Sequence, residues 1–247
     1  MGFAIIYFTI FVKFKIYSLN QFDPFFKVLY EDNHLIAVNK ASGVLVQGDN
    51  TGDIPLAEHV KAYLKEKYQK PGNVFAGVIH RLDRPVSGLV MLAKTSKALE
   101  RMNELFRTRE ITKTYWAVVK NKPPEASGTL IHYLKKLSDK NISKAYDKEV
   151  SGSLRSELSY EIIGQSERFF LLEVNPITGR HHQIRVQLSK IGCPIKGDVK
   201  YGFDRTNEDA SIHLHARKIS FIHPIKLEKI EIVADLPKEK VWSLFNQ

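Results

Sequence analysis

GVIHRLDRPVSGLVMLAKTSK, Gly77 to Lys97, runs from one apolar segment through a short charged turn into another. Val74 to Ile79 and Leu89 to Ala93 read as strands, because aliphatic runs of this length bounded by Gly and Pro fit buried sheet positions. The turn between them carries Asp83, with Arg81 and Arg84 on either side. A carboxylate between two guanidinium groups is favoured in its ionised form. On its own an Asp-Arg neighbourhood is more often a surface salt bridge than a site. A turn braced on two core strands, however, holds its side chains rigidly, which makes Asp83 the first candidate for chemistry.

On the N-terminal side, FKVLYE and HLIAVNK read as a hairpin turning at Asp32 and Asn33, followed by a Gly-rich loop over Ala41 to Gly52. After Pro55, the helical spacing of Leu56, Val60, Tyr63 and Leu64 predicts an amphipathic helix ending near Pro71 and Gly72. On the C-terminal side, Thr95 or Ser96 caps a helix with Leu99, Met102, Leu105 and Phe106 as its buried stripe. Thr112 to Val119 reads as a strand that puts Lys113, Tyr115 and Ala117 on one face. Leu130 to Lys148 is lysine-rich and weakly periodic, and is expected to be exposed and mobile. Two further strands, around Leu154 to Ile162 and Phe169 to Val174, precede NPITGRHHQIRVQL, Asn175 to Leu188. There a turn opens a helix with Ile184, Leu188 and Ile191 on one face and Arg180 in its first turn. Arg185 flanks that stripe, a position from which it can lie along a cleft floor.

The chain has 247 residues, 43% of them hydrophobic, enough to bury a substantial core. Lys plus Arg number 37 against 27 acidic residues, a formal charge of +10 that suits a polyanionic partner. The single cysteine, Cys193, excludes an internal disulfide and fits a reducing, cytoplasmic setting. Phe3 to Val12 is apolar but too short to span a bilayer, and it lacks the features of a secretory signal. Residues 1–22 are therefore read as an extra strand or as translation from an upstream start, and no membrane partner is expected. No GxxxxGK[ST], GxGxxG or GxSxG run is present. His181, His182, His213, His215 and His223 lack a Cys or carboxylate at ligand spacing, so no metal is expected.

Several separated blocks carry a family resemblance. HRLDRPVSG resembles the HRLD-R-x-T-S-G-L motif of the RluA-type RNA pseudouridine synthases, with Val86 where that family usually has Thr. VNKASG resembles its VNKPSG motif, with Ala41 for Pro, and TGRHHQIRV resembles TGR-x-HQIR-V. GCPIKGDVKYG and SIHLHARKISFIHP resemble two later segments, so the matching order extends over residues 26 to 234. The resemblance implies an α+β pseudouridine synthase fold: a central mixed, mainly antiparallel sheet with helices and loops around a catalytic cleft. It implies a single catalytic domain over residues 23–247, acting on rRNA or tRNA without a cofactor and expected to be a monomer; the small RNA-binding module that precedes this domain in many family members is not expected, because the preceding residues are too few and too apolar.

Carried over by position, the resemblance makes Asp83 the catalytic carboxylate, Arg185 its partner and Tyr115 a neighbour in the reaction. Arg81 matches the residue that takes the place of a flipped-out uridine, and Leu214 an apolar residue near the base. Arg84 is assigned to a phosphate or backbone contact, and Arg180 and His181 to substrate binding. These residue types suit the reaction, which breaks the bond from ribose to the ring nitrogen, turns the uracil and rejoins it through carbon 5. A carboxylate can serve that reaction by attack at the sugar or by another route, and the residues alone leave both open. Two other readings stay open at this point: a catalytically silent RNA-binding protein of the same fold, and a nucleoside-cleaving enzyme that releases uracil.

Overall fold

The apolar runs pair into one sheet, described in the computed structural model over residues 24–49 and 51–245; the apolar run Phe3 to Val12 lies outside the described residues. In chain order the elements are β1 (Phe26–Glu31), β2 (Leu35–Lys40), α1 (Leu56–Lys67), β3 (Gly77–Val78) and β4 (Ser87–Ala93). Next come α2 (Ser96–Arg107), β5 (Thr112–Val119), β6 (Ser127–Leu137), β7 (Ile142–Tyr146), β8 (Leu154–Gln165) and β9 (Phe170–Pro176). The chain continues through α3 (Gln183–Lys190), β10 (Leu214–Ile222), β11 (Lys229–Val233) and α4 (Lys240–Ser243). The main strand order is β1-β2-β4-β10-β5-β9-β8-β6-β7, with β3 also on β4 and β11 on β10. Among the described residues β4 and β10 run parallel and the other pairings are antiparallel. This is the mixed, mainly antiparallel α+β sheet that the sequence leads one to expect.

β4 sits at the centre. All of its residues are buried, which is why its sequence is a continuous apolar run rather than an alternating one. One edge pairs with β2 along its length; the other is shared between β10 at Ser87 and Gly88 and β3 at Leu92 and Ala93. That sharing corrects the expected strand Val74 to Ile79, which is cut to Gly77–Val78 because only one end of that edge of β4 is open to it. The crossing of β4 and β10 depends on Gly88, whose φ is +111° and whose added Cβ would lie 2.4 Å from the Ala216 carbonyl oxygen. Only glycine combines that backbone angle with that approach.

The helices close over the sheet by their apolar stripes. Leu56, Val60 and Leu64, spaced four apart on α1, are fully buried in the main core. α1 ends at Lys67, before Pro71, and Gln69 beyond it is already left-handed at φ +49°. In α2 the Thr95 hydroxyl caps the Ala98 N–H, as expected, but of the expected stripe only Met102 is fully buried. Phe106 is half-exposed and stacks on His80, centroids 5.1 Å apart, so it forms wall rather than core.

The lysine-rich segment is the larger correction. Expected as an exposed, mobile region, it forms β6 and β7, paired from Tyr133–Tyr146 to Leu137–Ile142 at the edge of the sheet. Its inward side is His132, Leu134, Ser143 and Ala145, with Leu134 and Ala145 packed on Val186 and Tyr201. Two of those four inward residues are polar and one is alanine, so the period of two was too faint to read by hydropathy.

Candidate active site

The Asp83 turn is pinned through its backbone. The Asp83 carbonyl accepts the Val86 N–H at 3.0 Å, the Arg84 carbonyl the Gly43 N–H at 2.8 Å, and the Pro85 carbonyl the Ile212 N–H at 3.1 Å. Lys40 adds a cross-tie: its buried ammonium donates to the carbonyls of Ala41, Val44 and Arg84 at 2.8, 2.9 and 3.3 Å. Burial brings the pKa of Lys40 down to about 7, against the opposing pull of Asp83. Val86, the departure from the motif, is buried and forms part of the cleft wall.

The partner of Asp83 comes from elsewhere in the chain. Arg185 Nη1 donates to Asp83 Oδ2 at 2.9 Å, while its Nε and Nη2 grip both oxygens of Asp198 at 2.7 and 2.8 Å. The Arg185 side chain is only 5% exposed and Asp198 1%, against 30% for Asp83. Burial opposes the Arg185 charge, but the two carboxylates outweigh it and raise its pKa. The fork on Asp198 fixes the guanidinium plane, and Nη1 is left to orient Asp83. Among the described residues Asp83 Oδ1 accepts no hydrogen bond, so one oxygen is held and the other is free for chemistry.

The sequence-based arrangement of Asp83 between two arginines is therefore corrected. Arg84 and Pro85 are the middle of the turn closed by the Val86 N–H on the Asp83 carbonyl, and that turn carries Arg84 off the cleft. Arg84 turns away, to Asp53 at 2.7 Å and the Gly43 carbonyl at 3.0 Å, while Arg81 is exposed and unpaired among the described residues. Arg84 does not line the cleft. The cleft, about 400 Å³, does bring together Arg81, Asp83, Tyr115, Arg180, His181, Arg185 and Leu214. The Tyr115 hydroxyl makes no hydrogen bond among the described residues, and burial, then Asp83, raises its phenol pKa, so it stays protonated. Leu214 is buried at the start of β10 and supplies an apolar surface.

Arg180 lies before α3 rather than in its first turn. The Gln183 side chain accounts for this: its Oε1 accepts from the Arg180 N–H and the Thr178 hydroxyl, and its Nε2 donates to the Glu157 carbonyl. The loop wraps around that amide, and α3 starts only after His182 in a left-handed conformation, φ +53°. His181 stacks on His182 at 3.8 Å and bonds to Ser143 and Asn141. His182 is the nearer to Asp83, with Nε2 3.5 Å from Oδ2.

His182, Asp198 and Tyr201 are site residues that sequence reasoning missed. The Tyr201 hydroxyl accepts the Ser143 N–H at 2.8 Å and lies 2.8 Å from His182 Nδ1, while His182 Nε2 faces the Asp83 carboxylate, which can only accept; the pattern that satisfies both ring nitrogens has Tyr201 donating to Nδ1. That network assigns the remaining proton of a neutral imidazole to Nε2, facing Asp83. Burial drives the His182 pKa to about 3, so the ring is neutral near pH 7. Asp198 and Tyr201 fall within GCPIKGDVKYG, a segment whose resemblance assigns a role to neither residue. The other histidines serve separate structural contacts: His213 with Glu239, His215 with Ser87 and His223 with Asp32.

Comparison with known proteins places the chain in a family. The profile of the family described as RNA pseudouridylate synthase matches residues 34–190. The ribosomal large subunit pseudouridine synthase C of Buchnera aphidicola subsp. Acyrthosiphon pisum is 33% identical over 85% of this chain and 67% of its own length. The tRNA pseudouridine synthase C of Haemophilus ducreyi is 33% identical over 89% of this chain and 94% of its own. Among solved structures, human RNA pseudouridylate synthase domain containing 4 superposes with a TM-score of 0.73 at 26% identity, covering 88% of this chain and 91% of that one. Matched over most of its length by family profile, curated relatives and fold alike, the chain belongs to the RNA pseudouridylate synthases of the RluA type, isomerases that convert uridine in RNA to pseudouridine.

Proposed function

We propose that this chain isomerises particular uridines of rRNA or tRNA, with Asp83 as the catalytic carboxylate acting on a flipped-out nucleotide. The observation that carries the reading is the Asp83 carboxylate, held through Oδ2 by Arg185 and free at Oδ1, in a cleft walled by Tyr115 and Leu214. The reaction needs a fixed carboxylate at the sugar while the ring nitrogen leaves, an enclosed space in which the uracil turns, and removal of the carbon 5 proton after rejoining. Arg185 orients the carboxylate. Tyr115 packs on the ring or assists the proton transfer, and Leu214 supports the base.

Extracting a stacked uridine costs a few kcal/mol, and Arg81, exposed and unpaired at the cleft mouth, fills the vacated place. Arg180 and His181 contact the substrate from the loop before α3, and Arg84 reaches backbone or phosphate outside the cleft. The +10 charge supplies attraction to RNA. The described residues act as one catalytic unit, as a monomer in the cytoplasm; among them no helix is long and apolar enough to cross a membrane.

Tritium release from RNA labelled at uridine carbon 5 tests the reading. Asp83→Asn is expected to fold, bind RNA and release no tritium, and substantial residual release would remove Asp83 from its role. Free uracil in the wild-type reaction would instead reveal a nucleoside-cleaving enzyme. Carbodiimide mapping of rRNA and tRNA with and without the gene identifies the uridine; an unchanged map alongside a growth defect would favour a silent RNA-binding protein.

A further inference from the structure

One cation in the cleft is left unexplained by the Asp83 cluster. Lys113 lies on β5, on the same face as Tyr115 and two residues from it, roughly 6.6 Å along the strand. Its side chain lines the cleft and is half-buried. It makes no hydrogen bond or ion pair among the described residues; its ammonium lies 5.8 Å from the Phe106 ring centroid and beside the backbone of Gly179. A cation–π contact at that range gives little compensation for the lost hydration of an ammonium group. A buried charge is normally paired, so a cation left bare at the mouth of a site lacks its counter-ion.

The charges of the cleft show how much anion is missing. Arg185 neutralises one of the two carboxylates it touches, leaving a single negative charge from Asp83 and Asp198 together. Arg81, Lys113 and Arg180 line the same cleft with three positive charges, none paired among the described residues. The excess is two positive charges, the charge of the two phosphates that flank an internal nucleotide. Arg81 is exposed and Arg180 sits on a loop, whereas Lys113 is anchored on the strand that carries Tyr115.

We propose that Lys113 binds a backbone phosphate adjacent to the target uridine and so sets the depth at which the flipped nucleotide sits against Tyr115 and Asp83. This deepens the reading of the chain as an RNA isomerase and rests on it. Lys113→Met keeps the length and packing of the side chain while removing the charge; Lys113→Arg keeps the charge.

The experiment uses the full chain and a synthetic RNA carrying the mapped uridine, with binding measured by fluorescence anisotropy over a range of KCl and with methylphosphonate at either flanking phosphate. Lys113→Met is expected to weaken binding about tenfold and to lower the salt slope by about 0.7–0.9, the contribution of one phosphate contact. Lys113→Arg is expected to stay close to wild type. In the wild type, methylphosphonate at one of the two positions weakens binding, and in Lys113→Met the same change has no further effect. An unchanged salt slope in Lys113→Met, or an undiminished methylphosphonate penalty at both positions, overturns the proposal. Failure of the isomerase reading shows separately, as no pseudouridine in wild-type reactions while the binding measurements still report on Lys113.

Discussion

Two carboxylates in this chain gather cations, and they do so to opposite ends. Glu31, at the end of β1, is saturated: Lys67 and Lys94 each reach it at 2.7 Å, the Tyr68 hydroxyl at 2.7 Å and the Tyr63 hydroxyl at 3.3 Å. Its side chain is 7% exposed and both oxygens are engaged. Asp83 is 30% exposed and bonded through one oxygen to Arg185, in a cleft whose Arg81, Lys113 and Arg180 are unpaired among the described residues. The first cluster ties β1 to α1 and to the end of β4, and is complete without any other molecule. The second is complete only when something anionic enters. Ion pairs as such do not mark a site in this protein; unpaired cations around a half-free carboxylate do.

The largest effect is expected where the cleft cluster is anchored. Asp198→Ala leaves the nearly buried Arg185 guanidinium with Asp83 as its one acidic partner. Removing one side of a buried pair typically costs about 3–5 kcal/mol. Urea denaturation should show a loss in that range, and pseudouridine formation should fall because Arg185 no longer has a fixed plane from which to orient Asp83. A variant within about 1 kcal/mol of wild type would mean that Asp198 is not the anchor of the cluster.

Glu31→Gln tests the closed cluster and should be milder, about 2–3 kcal/mol, with turnover unchanged. Burial works against the Glu31 charge, but hydrogen bonds from Lys67, Lys94 and Tyr68 hold its pKa at about 2, below the 4.5 of a free glutamate. Because the folded pKa is depressed, its stabilisation is fully present above pH 4.5 and is lost as pH falls towards 2. The gap in urea midpoint between wild type and Glu31→Gln should therefore be wide at pH 7 and close towards pH 2. A gap that is constant with pH would show that packing, rather than charge, makes Glu31 matter.

The same contrast explains what could be read from the residues alone. The strand that follows the Asp83 turn, the Asp32 hairpin and the shared face of Lys113 and Tyr115 depend on local patterns and stand in the structure as read, while the strand before the turn shrinks to Gly77–Val78. Arg185 was expected beside Asp83 on resemblance, and the structure brings the two together across a separation of 102 residues. The flanking arginines misled because closeness in sequence does not fix a side chain's partner: Arg84 lies in the turn and bonds to Asp53 and the Gly43 carbonyl, and Arg81 is exposed. Asp198 and Tyr201 sit in a turn with no periodicity to flag them; their roles arise only when β7 and α3 meet. The lysine-rich hairpin was hidden for a related reason, since its inward face is small and polar and buries little apolar surface.

The smallest effect should come from Tyr201→Phe, which keeps the ring against Arg185 and removes a hydroxyl that reaches Asp83 only through His182. Removing the hydroxyl leaves the Ser143 N–H without its acceptor, a loss of about 1–2 kcal/mol. It also frees His182 Nδ1 from the bond that makes it an acceptor, so the proton is no longer held at Nε2 towards Asp83. Nitrogen NMR of the imidazole should show a single Nε2–H tautomer in the wild type and a mixture in the variant. If that proton helps to hold the carboxylate, kcat falls several-fold while KM stays put, since no group facing the RNA has changed. A mixed tautomer with unchanged kcat would assign the His182 contact to structure alone and leave the orientation of Asp83 to Arg185.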